Sequence, residues 1–306
     1  MGAPGEIILH GNPRSMYSEK VRRVLAYKSL DWSDVEVPAL PPKTDLIPLT
    51  GGYRRMPVMQ IGADIYCDSA LIIERLEQLA PDPTVFPAHL AGAARMIADW
   101  VDHRVARWAI LSVFVDMLPH LPEPFIKDRT ELIADFAPDR VRALAPNAFE
   151  QFGQFLGFVD TALASAPWIA GDAFSVADAA CYHVINFART NPRVAAPVDA
   201  RPRVVEWIAR VGGFAAPTVT PRSGAYALDA ARDASPVDLG DTADGAGTFA
   251  LGQRVTVGAD DYAIERMEGT IVRLSPTAIG IARTTDLLGE TVLHVPRLGF
   301  SVEILA

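Results

Sequence analysis

The first part of the chain alternates between short apolar runs and a stretch with helical spacing. Residues 6–10 are mostly apolar and end at Gly11, Asn12 and Pro13, which predicts a buried strand that stops at a turn. From Ser18 onward the apolar positions lie three or four residues apart, which predicts an amphipathic helix. The chain is therefore predicted to begin with a strand, a loop and a helix.

The next segment contains three further strand candidates and a second helix. Residues 35–37 are a weak strand, and residues 57–61 and 65–67 form a predicted hairpin around a turn that contains glycine. A helix is predicted from Ala70 because the apolar residues that follow again have helical spacing. Residues 1–83 are therefore predicted to form an α/β domain with the order strand, helix, strand, strand, strand, helix.

The middle of the chain is predicted to be entirely helical. Two long apolar stripes at helical spacing run through it, one over residues 97–115 and one over residues 149–163. Ser175 and Asp178 have the spacing of a capping box, in which a hydroxyl and a carboxylate satisfy the first amides of a helix. Residues 84–228 are therefore predicted to form an all-α domain.

The periodicity changes again after residue 228. Residues 229–247 contain five aspartates and four glycine or proline residues, a composition typical of a solvated linker. Residues 248–306 then contain five short runs of alternating residues that are separated by glycine, proline or aspartate. We therefore predict a linker over 229–247 and a small all-β, barrel-like domain over 248–306.

Composition and charge narrow the range of possible partners. The chain has 306 residues, and 50% of them are hydrophobic, which is enough for a sizeable core. Its formal net charge of −9 disfavours a broad surface for nucleic acid. Cys67 and Cys181 lie far apart without CxxC spacing, which argues against a disulfide scaffold and a metal site. A cytoplasmic setting is expected because neither a membrane-spanning run nor a secretory signal is visible.

Four short motifs resemble those of a known family. They are Ser15-Met16-Tyr17-Ser18, Arg55-Met56-Pro57-Val58, Asp68-Ser69 and Ser175-x-x-Asp178. Together with the order of predicted elements, they make the chain similar to the cytosolic glutathione transferase family over roughly residues 6–216. The resemblance implies a thioredoxin-like domain that binds glutathione as a co-substrate, followed by a helical domain that completes the site for a hydrophobic electrophile.

The resemblance assigns Ser15 to catalysis. Its hydroxyl would donate to the sulfur of glutathione and stabilise the thiolate, at a helix N-terminus that also favours an anion. On its own, the residue type is equally that of a helix cap. Tyr17 is the alternative hydroxyl. Serine at both ends of the CxxC frame, residues 15–18, removes the thiol that disulfide exchange needs, so thiol-transferase activity is disfavoured.

Four further residues are implied in glutathione binding. The resemblance makes the bond between Met56 and Pro57 cis, with the Met56 backbone pairing with the cysteinyl part of glutathione. Asp68 would pair with the γ-glutamyl ammonium group, and Ser69 would hold the γ-glutamyl carboxylate through its hydroxyl and amide. An ordinary helix cap is the alternative role for Asp68 and Ser69.

The resemblance also implies a basic residue near the glycyl carboxylate of glutathione. Arg55 is the predicted contact, with Arg54 and Lys43 as alternatives from the same region of the chain. A solvated pair of surface arginines is the other interpretation. Cys67 is interpreted as a buried and inert thiol.

Residues 248–306 have no counterpart in the ordinary architecture of that family. They contain five arginines, no lysine and seven acidic residues, a net charge of −2, and no recognisable chemical motif. Subunit contact, covering of the active-site mouth and binding of a protein partner all remain open as roles.

The sequence therefore favours an enzyme that transfers glutathione to an electrophilic small molecule, and the family resemblance implies a homodimer. The alternative is a non-catalytic binding or scaffold protein of the same fold whose β domain recruits a partner. Isomerisation or dehalogenation would use the same pocket with a different electrophile. No metal, nucleic acid or membrane is expected as a partner.

Overall fold

The computed structural model describes residues 5–215, 217–237 and 248–305. These residues fall into two compact units. The first unit is built from Met1–Ser18, Leu30–Leu79 and Pro217–Ala306, and the second from Glu19–Ser29 and Ala80–Ala216. The C-terminal segment that the sequence sets apart from the family architecture therefore belongs to the same unit as the N-terminal α/β segment.

Ten strands among the described residues form one sheet in the first unit. In chain order they are β1 (Ile8–Gly11), β2 (Trp32–Glu36), β3 (Val58–Ile61), β4 (Asp64–Cys67), β5 (Val219–Arg222), β6 (Arg254–Ala259), β7 (Met267–Leu274), β8 (Ala278–Thr285), β9 (Gly289–Pro296) and β10 (Phe300–Ile304). Their order across the sheet is β10-β6-β7-β8-β9-β4-β3-β1-β2-β5. The strands predicted from alternating apolar positions are confirmed, and β5 is an additional one.

Eleven α-helices are present among the described residues. They are α1 (Met16–Tyr27), α2 (Leu46–Thr50), α3 (Ser69–Leu79), α4 (Ala91–Trp100), α5 (Ala106–Met117), α6 (Glu123–Leu132), α7 (Pro138–Ser165), α8 (Val176–Ala188), α9 (Pro192–Asp199), α10 (Pro202–Gly212) and α11 (Gly224–Arg232). Helices α4 to α10 lie in the second unit, so a helical domain follows the α/β segment as predicted. The predicted bound of 228 is too late, because residues 217–228 belong to the first unit and include β5, which pairs with β2. No described helix is both long and apolar enough to cross a membrane.

The C-terminal strands continue the sheet of the N-terminal segment. Strand β10 returns to pair antiparallel with β6, while β9 pairs in parallel with β4, over Asp64–Tyr66 and Val292–His294. The predicted strand-rich segment is thus confirmed, but β9 uses its second edge for β4 and does not close onto β10. We refer to strands β6–β10 with their connecting loops, residues 254–304, as the extension.

The extension and the N-terminal segment share one apolar core. Fully or nearly fully buried side chains from both segments belong to the same cluster, and among them are Ile8, Val35, Val58, Ile65, Val255, Ile271, Ile281 and Leu293. Aromatic contact adds to it, since the rings of Tyr53 and Phe300 stack with their centroids 6.1 Å apart. The extension is therefore part of the hydrophobic core of the first unit.

The residues around the predicted linker are partly helical. Helix α11 includes residues 229–232, which the sequence analysis assigned to the linker, and it lies with β5 in the first unit. Ala227 and Ala231, four residues apart, are fully buried and give α11 a narrow apolar face. Ser223 caps this helix by accepting a hydrogen bond from the Tyr226 amide at 3.1 Å. Residues 233–237 of the predicted linker follow the helix, and the Val237 amide donates to the Asp64 carboxylate at 2.8 Å. Residues 238–247 lie outside the described residues.

Two buried polar clusters organise the second unit. The capping box at the start of α8 is present, and Asp178 also accepts a hydrogen bond from the Trp207 indole at 2.9 Å. Elsewhere in this unit, Lys20 forms an ion pair with Asp102, which lies 2.9 Å from His183 Nε2. Burial alone would raise the pKa of Asp102, but Lys20 and His183 lower it to about 2, so the carboxylate is charged.

Candidate functional site

Ser15 lies in the loop between β1 and α1, immediately before the first helical residue. Its Oγ accepts a hydrogen bond from the Ser18 amide at 3.2 Å, so Ser15 caps α1. The Ser15 amide in turn donates to the Asn12 carbonyl at 3.0 Å, and the Asn12 side chain donates to Val37 O at 2.9 Å. These bonds fix the loop against β2. Because the cap uses a lone pair of the hydroxyl oxygen, its proton remains able to donate to an anion in front of the helix.

The loop before β3 contains the proline singled out by the sequence. The peptide bond between Met56 and Pro57 is cis, as the family resemblance implies. Pro57 is buried, and Met56 is partly buried against the shared core. The Met56 backbone therefore lies just before the start of β3, next in sequence to Arg54 and Arg55.

Asp68 and Ser69 form the junction between β4 and α3. The Asp68 carboxylate accepts a hydrogen bond from the Ala70 amide at 2.8 Å, and its carbonyl accepts from the Ile72 amide at 3.0 Å. Asp68 has a φ of 78°, a left-handed conformation that a non-glycine residue adopts infrequently. Ser69 is buried at the first position of α3. Both side chains therefore lie at a helix N-terminus, where amides and the helix dipole favour an anion.

The two arginines before the cis-proline contact the extension. The Arg55 guanidinium lies 3.7 Å from the centroid of the Tyr262 ring and forms an ion pair with Asp261. Arg54 lies 3.8 Å from a carboxylate oxygen of Glu265. All three partners belong to the loop between β6 and β7, residues 260–266. Of the three roles left open for the extension, covering of the candidate site is the one that these contacts favour.

A second contact joins the extension to the same region. Arg283 of β8 donates to the Leu49 carbonyl at 3.3 Å, and a Cβ atom at Gly51 would lie 2.3 Å from its guanidinium carbon. Gly51 has a φ of 72°, a left-handed conformation that favours glycine, and the Arg283 guanidinium packs directly over it. The segment from Leu49 to Arg55 is thus held by the extension at both ends.

The other candidates occupy less accessible positions. Lys43 is buried, with a relative exposure of 5%, and Tyr17 is partly buried in the first turn of α1. Cys67 is fully buried, and burial raises the pKa of its thiol well above the usual value. The thiol is therefore protonated near neutral pH, which supports its interpretation as inert.

Asp261, Tyr262 and Glu265 are the residues that the sequence analysis missed. Their bonds to Arg54 and Arg55 join positions about two hundred residues apart, and no local pattern marks them. The sequence offered two separate hints: acidic and aromatic residues in the loop between two predicted strands, and a distant pair of arginines whose partners were not assigned.

Comparison with known families finds two matches along the chain. Residues 9–84 match the glutathione S-transferase N-terminal domain, and residues 131–210 match the glutathione S-transferase C-terminal domain. No curated protein matches the chain in a sequence search.

Among solved structures, some match nearly the whole chain and others match about two thirds of it. A GST-like protein from Pseudomonas syringae is 33% identical with a TM-score of 0.80, covering 98% of this chain and 100% of its own. Glutathione transferase F7 from Populus trichocarpa is 21% identical, with a TM-score of 0.53 over 69% of this chain and 95% of its own. The beta-etherase LigF from Sphingobium is 15% identical, with a TM-score of 0.57 over 69% and 96%. The last two support the fold alone.

The Pseudomonas match is the one among these three that includes the extension, because it covers nearly the whole chain. Its identity and coverage agree with the two domain matches, the thioredoxin-like strand order and the helical second unit. The chain therefore belongs to the glutathione S-transferase family.

Proposed function

We propose that this chain is a glutathione transferase that binds glutathione in its first unit and transfers it to an electrophilic small molecule. Asp68 pairs with the γ-glutamyl ammonium group, and the Ser69 hydroxyl and amide hold the γ-glutamyl carboxylate. The Met56 backbone pairs with the cysteinyl part, and Arg55 attracts the glycyl carboxylate. These roles follow the family pattern, residue by residue, at positions where this chain presents the required groups.

Ser15 stabilises the glutathione thiolate in this proposal. A free thiol has a pKa of about 8.5, so only a few per cent of it is ionised at neutral pH. A hydroxyl proton and the N-terminus of α1 both stabilise negative charge on sulfur and lower that pKa. The thiol proton passes to solvent, the sulfur forms a bond to the electrophilic carbon, and the leaving group departs with its bonding electrons. Glutathione is the nucleophile, and the protein supplies position and charge stabilisation.

One observation carries the proposal. The Ser15 hydroxyl caps α1 through its oxygen, with the Ser18 amide 3.2 Å away, and keeps its proton for a partner outside the helix. A serine that only capped the helix would have the same hydrogen bond. The turnover of Ser15→Ala, which lacks the hydroxyl, therefore distinguishes thiolate stabilisation from capping.

Glutathione binding is tested most sharply by Asp68→Asn. Asparagine keeps an oxygen for the Ala70 amide and tolerates the left-handed φ of 78°, so the variant removes the charge and preserves the cap. We expect the dissociation constant for reduced glutathione to rise by roughly tenfold or more, because a charge-assisted hydrogen bond is lost. Calorimetric titration of the two proteins measures the difference.

Two results would argue against this assignment of Asp68. One is equal affinity of Asp68→Asn and the unmodified protein, which would leave Asp68 with the cap alone. The other is the absence of saturable binding by the unmodified protein, which would remove the proposed function itself. The melting temperatures of both proteins serve as the control for folding.

The loop that contacts Arg55 leads to a second expectation. Asp261 neutralises Arg55 and would repel a ligand carboxylate that approaches the same guanidinium. We therefore expect Asp261→Asn to bind glutathione roughly two- to tenfold more tightly. Asp286→Asn removes the same charge from an exposed turn of the extension and provides the matched control. Unchanged or weaker binding by Asp261→Asn in the same titration would contradict the competition.

A non-catalytic binding or scaffold protein is the second candidate. The contacts of Arg54 and Arg55 with the extension favour it, since they engage the cations proposed for the glycyl carboxylate. Retention on immobilised glutathione separates the two candidates, because a chain whose pocket no longer binds the tripeptide passes through the column.

The electrophile determines whether conjugation, isomerisation or dehalogenation results, and all three begin from the same thiolate.

We further propose a homodimer, as in the family, and a cytoplasmic location. Cys67 and Cys181 are both free and buried, which fits a reducing compartment.

A further inference from the structure

The loop between β6 and β7, residues 260–266, places two carboxylates against the arginines assigned to the glycyl end of glutathione. Asp261 forms an ion pair with Arg55, and a carboxylate oxygen of Glu265 lies 3.8 Å from Arg54. The formal charges of these four side chains cancel. A carboxylate that arrives with a ligand therefore meets as many negative charges as positive ones.

The same loop encloses the Arg55 side chain, which is 11% exposed. The Arg55 guanidinium lies 3.7 Å from the centroid of the Tyr262 ring. Burial by itself would lower the pKa of Arg55, but this pKa is raised, because Tyr262, Tyr53 and Asp261 stabilise the cation. The charge of Arg55 is thus balanced by groups of the chain itself.

Both ends of the loop are fixed to the segment that forms β10. The Asp260 amide donates a hydrogen bond at 3.1 Å to the carbonyl of Gly299, just before β10. At the other end of the loop, the Arg266 guanidinium lies 2.7 Å from the carboxylate of Glu303 in β10. The backbone of the loop is therefore tied to the sheet on either side of Asp261 and Glu265.

The middle of the loop is fixed as well. The Asp261 carboxylate accepts a hydrogen bond from the Tyr262 amide at 2.8 Å, which orients it. Ala263 is 8% exposed and has a φ of 46°, a left-handed conformation that a residue with a side chain keeps where its surroundings hold it. Withdrawal of Asp261 from Arg55 would break these contacts, so its negative charge stays beside the arginine.

We propose that this loop makes the site select a glutathione derivative whose glycyl carboxyl group is blocked as an amide. Asp261 and Glu265 determine this specificity, because they offset the attraction of Arg55 for a free glycyl carboxylate. An uncharged amide meets no such repulsion, and its transfer from water costs less than that of a carboxylate. The inference rests on the proposed function, in which Asp68 and Ser69 hold the γ-glutamyl end.

Calorimetric titration of the full-length protein with reduced glutathione and with its glycyl amide tests the proposal. The two ligands have the same shape and differ in charge at the glycyl end. We expect the amide to bind roughly two- to tenfold more tightly. An arginine without a competing carboxylate would give the opposite order, since the amide lacks a charge-assisted hydrogen bond. Equal or tighter binding of the free acid would overturn the proposal.

A double variant traces the preference to the loop. Asp261→Asn combined with Glu265→Gln should reverse the order, so that the free acid binds roughly tenfold more tightly than the amide. Asp286→Asn combined with Glu290→Gln removes the same two charges from exposed positions around the turn between β8 and β9, and it should keep the order of the unmodified protein. The same ratio of affinities in all three proteins would contradict the role of the loop.

Failure of this inference is distinguishable from failure of the proposed function. If the free acid binds more tightly to the unmodified protein and Asp68→Asn weakens the binding of both ligands, the proposed function stands and the loop does not select. If neither ligand binds, the proposed function is wrong and this inference with it. The comparison of the two ligands uses the unmodified protein, so it remains decisive even if the double variant fails to fold.

Discussion

Removal of residues 248–306 is expected to leave a chain that aggregates and does not bind glutathione. The extension shares the core of the first unit, so its loss exposes apolar side chains such as Val58 and Ile65 that are now fully buried. Uncovering such a side chain costs about 1.5–3 kcal/mol. Four of them would remove roughly 6 kcal/mol or more, which approaches the total stability of a typical domain.

The exposed edge of β4 adds to this effect. In the intact protein β4 pairs with β9, and the Val292 amide donates to the Ala63 carbonyl at 3.0 Å. Without β9, the backbone groups on this edge lack partners and form a template for pairing between chains. The measurement is the fraction of the 1–247 fragment that is monodisperse in size-exclusion chromatography, together with its glutathione titration.

A cleaved form of the full chain serves as the control for this truncation. A protease site inserted within residues 238–247 breaks the covalent connection but keeps all strands present. We expect the two pieces to remain associated and to bind glutathione. A soluble, glutathione-binding 1–247 fragment would instead show that the extension is an autonomous domain.

Local periodicity was sufficient to predict most elements of the fold. The alternation of apolar residues identified β1, β3 and β4, and helical spacing identified α1, α3 and the second unit, because each pattern reflects one buried face. Only the first part of helix α11 was predicted as helical, and its last four residues were assigned to the linker, because its buried face consists of small alanines and hydrophobic spacing is then weak.

The partner of each strand was harder to predict. The sequence identified the strands of the extension but indicated a separate barrel-like domain. The pairing of β4 with β9 joins residues more than two hundred positions apart in the chain. The core that the two segments share can therefore be recognised only once both segments are placed in three dimensions. The alternation of side chains along a strand shows which face of the strand is buried. It carries little information on which neighbouring strand pairs with each edge, because that pairing is made by the backbone.

The same limit applies to the candidate site. Ser15, Pro57 and Asp68 lie in local motifs that a family resemblance identifies. The role of Arg55 depends on Asp261 and Tyr262, which come from a distant loop and carry no motif. Motifs therefore located the proposed chemistry, whereas its surroundings required the three-dimensional structure.

Ser15→Ala is expected to lower turnover with an activated aryl halide by roughly 10- to 1000-fold, the range for removing one donor to a developing charge. Glutathione affinity should change little, because the hydroxyl acts on the sulfur and Asp68 and Ser69 hold the other end of the tripeptide. The pKa of the bound thiol should rise towards the free value of about 8.5, so the rate should reach its plateau at a higher pH. Steady-state kinetics across pH and calorimetric titration measure both effects.

Two control variants separate catalysis from capping. The alanine variant also loses the cap bond to the Ser18 amide, which costs about 1 kcal/mol of stability. Ser15→Thr keeps a hydroxyl and the cap, so it should retain most of the turnover if donation to sulfur is the role. Tyr17→Phe tests the other hydroxyl and should leave turnover unchanged. If Ser15→Ala turned over at the rate of the unmodified protein, or if Tyr17→Phe showed the large loss instead, Ser15 would be a cap alone and the thiolate would be stabilised elsewhere.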